Sequence, residues 1–170
     1  VDPQDKTLLI YRELYQKGLT GEALGAQITE REENEYRSIS GVLDTSAWAR
    51  TGYTGPTIGE ALIKAGHKLR RADKNRIAGK VQIHEYLKQA NRESRPKLQI
   101  FNTCPSLIKE LQSIPLSKTN PEDVDTHAQD HAYDALRYLI MSRPRMETLM
   151  ERMSGFKREL YKPADSEFGY

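Results

Sequence analysis

The chain has 170 residues, 26 Lys and Arg against 24 Asp and Glu, and 37% apolar residues, which suits one globular domain able to bury a core. Its lone cysteine, Cys104, excludes a disulfide framework and a multi-cysteine zinc site. Apolar runs fall far short of the about 20 residues of a membrane span, and no signal peptide is recognisable, so a soluble protein of a reducing compartment is expected.

The opening Asp2-Pro3-Gln4-Asp5-Lys6 reads as a turn and Thr7 to Tyr15 as a strand. Because a hairpin turn joins two strands, a strand is expected upstream of residue 1. Residues 20–34 predict a helix with Thr20 as N-cap and Ala23, Leu24, Gln27 and Ile28 on its inner face. Ser38 to Leu43 predicts a buried strand that ends at Asp44, followed by a Gly/Thr-rich loop over 45–55. Pro56 is expected at the first position of a helix that stops at Gly66. His67 to Ala72 reads as a strand, and residues 75–92 as a long helix with Ile77, Val81, Ile83, His84, Leu87 and Ala90 inward. A strand at Lys97–Phe101 leads into a helix from Pro105 to about Ile114, then a polar loop over 115–126. Residues 127–142 predict a last helix with an Ala/Leu/Ile stripe, and the remainder a tail or short accessory helix. Strands alternating with helices imply an α/β layer structure with a partly parallel sheet.

Three features carry possible chemistry. Asp44 closes an apolar strand and opens a loop; strand carboxyl ends gather ligands in open α/β sheets, and a carboxylate there suits a hard cation. The same residue could equally cap a turn through its side chain. In His127-Ala128-Gln129-Asp130-His131-Ala132-Tyr133-Asp134, the acids and the histidines are each paired at helical spacing of four. Asp134 lies within an apolar stripe, so it needs a partner, either a metal or Arg137. A zincin site is discounted because Ala128 stands where that pattern has Glu. Third, residues 64–97 hold eleven Lys and Arg against three acids, either a phosphate-binding surface or a solvated charged face. Cys104 is read as a structural thiol, His84 as a core histidine and Trp48 as a loop anchor.

Several of these stretches, taken in order, resemble the C-terminal nuclease domain of the large terminase subunit of tailed bacteriophages. They are Gly41-Val42-Leu43-Asp44-Thr45-Ser46, Gly55-Pro56-Thr57-Ile58, Ala72-Asp73-Lys74-Asn75-Arg76-Ile77-Ala78-Gly79, Phe101-Asn102-Thr103-Cys104-Pro105-Ser106-Leu107-Ile108, Glu122-Asp123-Val124-Asp125-Thr126 and Asp130-His131-Ala132-Tyr133-Asp134-Ala135-Leu136-Arg137-Tyr138. The resemblance covers about residues 7–142. It implies a ribonuclease H-like mixed sheet flanked by helices, with the first strand and its acid lying before residue 1, and a tail over 143–170. It implies Asp44 and Asp134 as catalytic ligands of two Mg2+ or Mn2+ ions, with His131 and Asp130 as further ligands. Arg70, Arg71, Lys74, Arg76 and Lys80 are expected to meet DNA. The implied activity is metal-dependent cleavage of concatemeric double-stranded DNA during packaging, in host cytoplasm at the procapsid, without a membrane. The implied partners are an upstream ATPase motor domain, the portal and the small terminase subunit. The motor's own phosphate-binding motif does not occur in this sequence. Without the first-strand acid, little cleavage is expected. The alternatives are a non-catalytic DNA-binding or packaging-assembly module, and another ribonuclease H-like nuclease such as a resolvase.

Overall fold

The computed structural model describes residues 6–36, 39–50, 55–125 and 128–143. The expected tail beyond 143 therefore lies outside the described residues. The elements run β1 (Leu8–Ile10), α1 (Gly21–Glu32), β2 (Ser40–Leu43), a 3-10 turn (Thr45–Trp48), α2 (Ile58–Lys64), β3 (Lys68–Arg71), α3 (Arg76–Lys88), β4 (Leu98–Ile100), α4 (Pro105–Ser113) and α5 (His131–Met141). Among the described residues the chain is mixed α/β, with five helices and short parallel strands.

Among the described residues the strands form two parallel pairs, not one mixed sheet. β2 runs beside β3, with Leu43 opposite Arg71, and β1 runs beside β4, with Leu8 opposite Leu98. Parallel neighbours need a crossover. In the first pair α2 supplies it. In the second, α1, the whole of β2–α2–β3 and α3 lie between the two strands in sequence. The expected strand over 7–15 is shorter because Ile10 already hands its carbonyl to the Phe101 N–H and the chain then turns toward α1.

The helices depart from expectation where packing overrides hydrophobic spacing. On α1 the buried positions are Gly21 and Gly25, not Ala23. A Cβ on Gly21 would lie 2.8 Å from Ala61 Cβ on α2, so the two helices approach closely. Pro56 does not open α2. Thr57 is the N-cap, taking the Glu60 N–H while Glu60 takes the Thr57 N–H, a reciprocal capping box. The expected loop over 45–55 begins instead as the 3-10 turn Thr45–Trp48.

On α3 the inner face is Gly79, Gln82, Ile83 and Tyr86. Ile77, Val81 and Leu87 are exposed large apolar residues, and His84 is exposed rather than in the core. The helix ends at Lys88, short of the expected 92, because an Asn91 turn and an antiparallel bridge between Ala90 and Pro96 redirect the chain into β4. The core joins β1, β4 and the inner faces of α3, α4 and α5 through Leu8, Ile83, Tyr86, Leu98, Cys104, Leu107, Leu136 and Ile140. Cys104 is fully buried, as a structural thiol should be.

Two helices are capped from a distance. Asp130 and Cys104, at the N-caps of α5 and α4, make no capping hydrogen bond. Glu110 Oε2 accepts the Ala132 and Tyr133 N–H groups at 2.8 and 2.9 Å. Glu13 accepts those of Ser106 and Leu107 at 3.1 and 2.8 Å. Each carboxylate satisfies two orphan donors and faces the positive end of a helix. This explains why α5 begins at His131 rather than 127: its first turn forms where Glu110 can reach it. Replacing Glu110 with Gln keeps an acceptor but removes the charge. The expected loss is about 1 kcal/mol, read as a lower urea midpoint at unchanged slope.

Residues 115–125 form a tight hairpin rather than an open loop. Leu116 bridges Val124, and the Ser117 and Asp125 N–H groups bond the carbonyls of Asp123 and Pro115. α3 grips this hairpin from one face. Arg76 Nε donates to Asp123 Oδ2 at 2.9 Å, and Lys80 Nζ to the carbonyls of Pro121 and Glu122 at 3.2 and 3.0 Å. Arg76 and Lys80 are four residues apart and so share a helix face.

Candidate acidic site

Asp44 ends β2 and begins the 3-10 turn. Its two oxygens divide the labour that the sequence left open. Oδ1 accepts the Ser46 N–H at 2.7 Å and caps the turn. Oδ2 accepts the Tyr138 hydroxyl proton and lies 3.6 Å from Lys74 Nζ.

Asp134 stands one turn before Tyr138 on α5, and its Oδ2 lies 3.4 Å from the same Tyr138 hydroxyl. The phenol thus joins the strand-end acid to the helix acid, and both expected catalytic carboxylates converge on one oxygen. Asp134 Oδ1 takes Nε and an Nη of Arg137, both at 3.0 Å. Arg137 is 2% exposed. It reaches Asp134 by passing over Gly79, where a Cβ would lie 2.4 Å from Arg137 Cγ. The partner that Asp134 required is therefore Arg137, with one oxygen left toward Asp44.

Arg76 adds the third side of the site. Beyond its bond to Asp123, its two terminal nitrogens lie 3.6 Å from Asp134 and 3.7 Å from Asp130. Asp130 is thus linked to the site through Arg76. His131 is not drawn in: its side chain is 73% exposed, and its ion-pair contact is Asp130, at 3.9 Å. It lines an apolar cavity of about 640 Å³ that also includes Tyr15, Leu107 and Leu136.

Electrostatics separate the carboxyls. Burial pushes Asp44 up, but hydrogen bonds from Ser46 and Tyr138 and the Lys74 ammonium outweigh it and hold the group well below the usual carboxylate range. Asp130 is raised, by burial first and then by the Asp134 charge, against the pull of Arg76. The Tyr138 hydroxyl is raised by burial and by its bond to Asp44, so it stays protonated as a donor. In carboxyl ¹³C spectra of the metal-free chain, Asp130 is expected to titrate above, and Asp44 below, the ordinary Asp value of about 3.9. The linkage signs are opposite. The Asp44 stabilisation is present above its unfolded value and fades as pH falls through its folded one. That of Asp130 is present below its unfolded value and fades as pH rises through its folded one.

All five basic residues expected to meet DNA have partners within the chain. Arg70 donates to the Ser142 carbonyl at the end of α5, at 2.7 Å. The Arg71 guanidinium lies 5.3 Å above the Trp48 ring, which itself rests on α2 at Gly59. Trp48 is the loop anchor it was expected to be. Lys74 pairs with Asp44, and Arg76 and Lys80 hold the hairpin. Arg71 and Lys74 remain exposed beside Asp44, whereas Arg76 and Lys80 serve the architecture.

The donors are of the right kind for Mg2+ or Mn2+, which take carboxylate oxygens. Asp44 and Asp134 would hold such an ion between them. Among the described residues no three His, Cys, Asp or Glu side chains are grouped to hold a metal ion. The sequence motifs contained Tyr138, Asp123 and Gly79 without revealing their roles; the Tyr four residues after Asp134 was the available signal for the first. No helix among the described residues is long and apolar enough to cross a membrane. No protein-family model, curated protein or solved structure matches the chain.

Proposed function

We propose that the chain is a divalent-metal-dependent DNA endonuclease domain of the terminase type, built on a ribonuclease H-like α/β fold. The observation that carries this reading is the convergence of Asp44 and Asp134 on the Tyr138 hydroxyl. These residues come from a strand end and a late helix 90 positions apart in sequence, and an isolated Asp–Arg pair on α5 would not require that meeting. An ion held there would supply Lewis acidity toward a phosphate oxygen and a more acidic bound water. The chain's own residues supply the rest. Arg137 fixes the Asp134 carboxylate, Ser46 fixes that of Asp44, and Tyr138 sets the distance between them. Lys74 and Arg71 offer positive charge at the exposed edge, where a phosphodiester backbone would approach.

A role as viral packaging nuclease, with a motor domain, portal and small subunit as partners, belongs to the same proposal and rests on the motif resemblance. The test is supercoiled-plasmid nicking in Mg2+ or Mn2+, alongside direct Mn2+ binding. The expected result is Mn2+ binding that depends on Asp134, with nicking, however slow, that EDTA abolishes. Metal-independent nicking, or Mn2+ binding indifferent to Asp134→Asn, would overturn the reading.

A further inference from the structure

Arg76 is bound tightly at one end and loosely at the other. Its Nε makes a 2.9 Å hydrogen bond to Asp123. Its terminal nitrogens sit 3.6 and 3.7 Å from Asp134 and Asp130, beyond normal hydrogen-bonding distance. One of them, Nη2, is buried without any hydrogen-bond partner. A structural arginine among three carboxylates would be expected to close on them with its planar fork. Here the fork is hinged on Asp123 and offers charge, without close contact, to Asp134 of α5 and to its N-cap Asp130.

We propose that Arg76 is a displaceable resident cation of the acidic site. It neutralises Asp130 and Asp134 when no metal is bound, and a divalent ion must push it aside to claim Asp134. The inference rests on the metal-site reading above and deepens it. Arg76 is a positioning residue in this scheme, and it sets how much metal the site needs. Because the Asp123 bond is made by Nε and the longer contacts by the terminal nitrogens, the fork can give way while its hinge stays made. The basic residue that sequence alone assigned to DNA thereby gains a role toward the metal. The neighbouring Lys80, tied to backbone carbonyls of the hairpin, holds the hinge in place.

The test is Mn2+ titration of the whole chain, followed by the electron paramagnetic resonance of free Mn2+, in wild type, R76Q, R76K and D134N. Removing a unit positive charge from beside the ligands is expected to tighten Mn2+ binding about tenfold in R76Q. R76K keeps the charge on a compact head that cannot span the same acids, and is expected to bind about threefold tighter than wild type. The gain in melting point on adding Mn2+ is a readout that a purely architectural arginine would not move. The melting point of R76Q should lie below wild type without metal and recover with Mn2+ to a larger degree than wild type does. Should R76Q fail to fold, R76K decides by the sign of its change. Unchanged or weaker Mn2+ binding in the folded variants, with wild-type binding still dependent on Asp134, overturns the Arg76 proposal alone. Mn2+ binding that is missing from wild type, or equal in D134N, overturns the metal-site reading and this inference with it.

Discussion

Replacing Gly79 with alanine is expected to destabilise the chain by about 3 kcal/mol, the upper range for overpacking and the lower range for breaking a buried ion pair. In an open helix the same change would stabilise, since alanine is favoured over glycine by about 1 kcal/mol. The sign of the effect is therefore diagnostic. A Cβ at this position falls 2.4 Å from Arg137 Cγ and 2.8 Å from its Cδ, well inside contact distance. Either α3 and α5 separate, or the Arg137 stem moves and releases Asp134. The first opens the packing around a guanidinium that is 2% exposed, and the second leaves that guanidinium without its carboxylate. Since a domain has only about 5–15 kcal/mol of stability in all, the loss should be plain in urea or thermal unfolding. In an Arg137→Ala background the stem is gone, and the alanine at 79 should become neutral or stabilising. That coupling is the quantity a double-mutant cycle isolates. A stabilised single variant would mean that the helices pack less closely than described.

Gly79 also shows why part of the fold was illegible in the sequence. Hydrophobic spacing on α3 selects Ile77, Val81, Ile83, His84, Leu87 and Ala90 as the inner face, yet of these Ile83 alone is buried. The buried face holds Gly79 because a long arginine crosses there, and Gln82 beside Ile83 and Tyr86. No local pattern announces a position emptied for a residue 58 places away. The remote caps fail in the same way: Glu110 and Glu13 resemble ordinary surface glutamates until the fold brings them to the first turns of α5 and α4. What was legible is what depends on local order. Asp44 at the end of an apolar strand, Thr20 at an N-cap and the alternation of strand and helix all follow from short-range rules. The convergence of Asp44 with Asp134 came from the motif resemblance, and the geometry agrees with it through Tyr138. The five basic residues were legible as a cluster but not as to their use, because charge alone does not distinguish a phosphate from an internal carboxylate or carbonyl.

The largest functional effect is expected from Asp44→Asn. The amide keeps an oxygen for the Ser46 N–H, so the 3-10 turn should hold, and its NH2 can meet the Tyr138 hydroxyl as donor to acceptor. The substitution removes a charge without removing volume. It also removes the charge that the Ser46 and Tyr138 hydrogen bonds favour, so a modest loss of stability, about 1 kcal/mol, is expected. The Lys74 pair disappears, but that lysine is well exposed, and an exposed pair contributes about 1 kcal/mol or less. Metal binding has no such compensation. Hard divalent ions hold to carboxylate oxygens by charge, and an amide oxygen is a much poorer ligand. With two carboxylates converging, losing one halves the anionic donors. Mn2+ affinity is expected to fall at least about tenfold, and any metal-dependent nicking by about a hundredfold or more, as the ion's role in orienting water and steadying the leaving oxygen is lost. Asp134→Asn is a weaker probe of chemistry, because it also deprives buried Arg137 of its counter-charge and confounds ligation with folding. Comparing the two variants by Mn2+ titration and by melting point tells the effects apart. If Asp44→Asn melts near wild type and loses metal, Asp44 is a ligand. If it keeps Mn2+ affinity intact, the carboxylate serves only its turn, and the chemistry must be sought elsewhere in the chain.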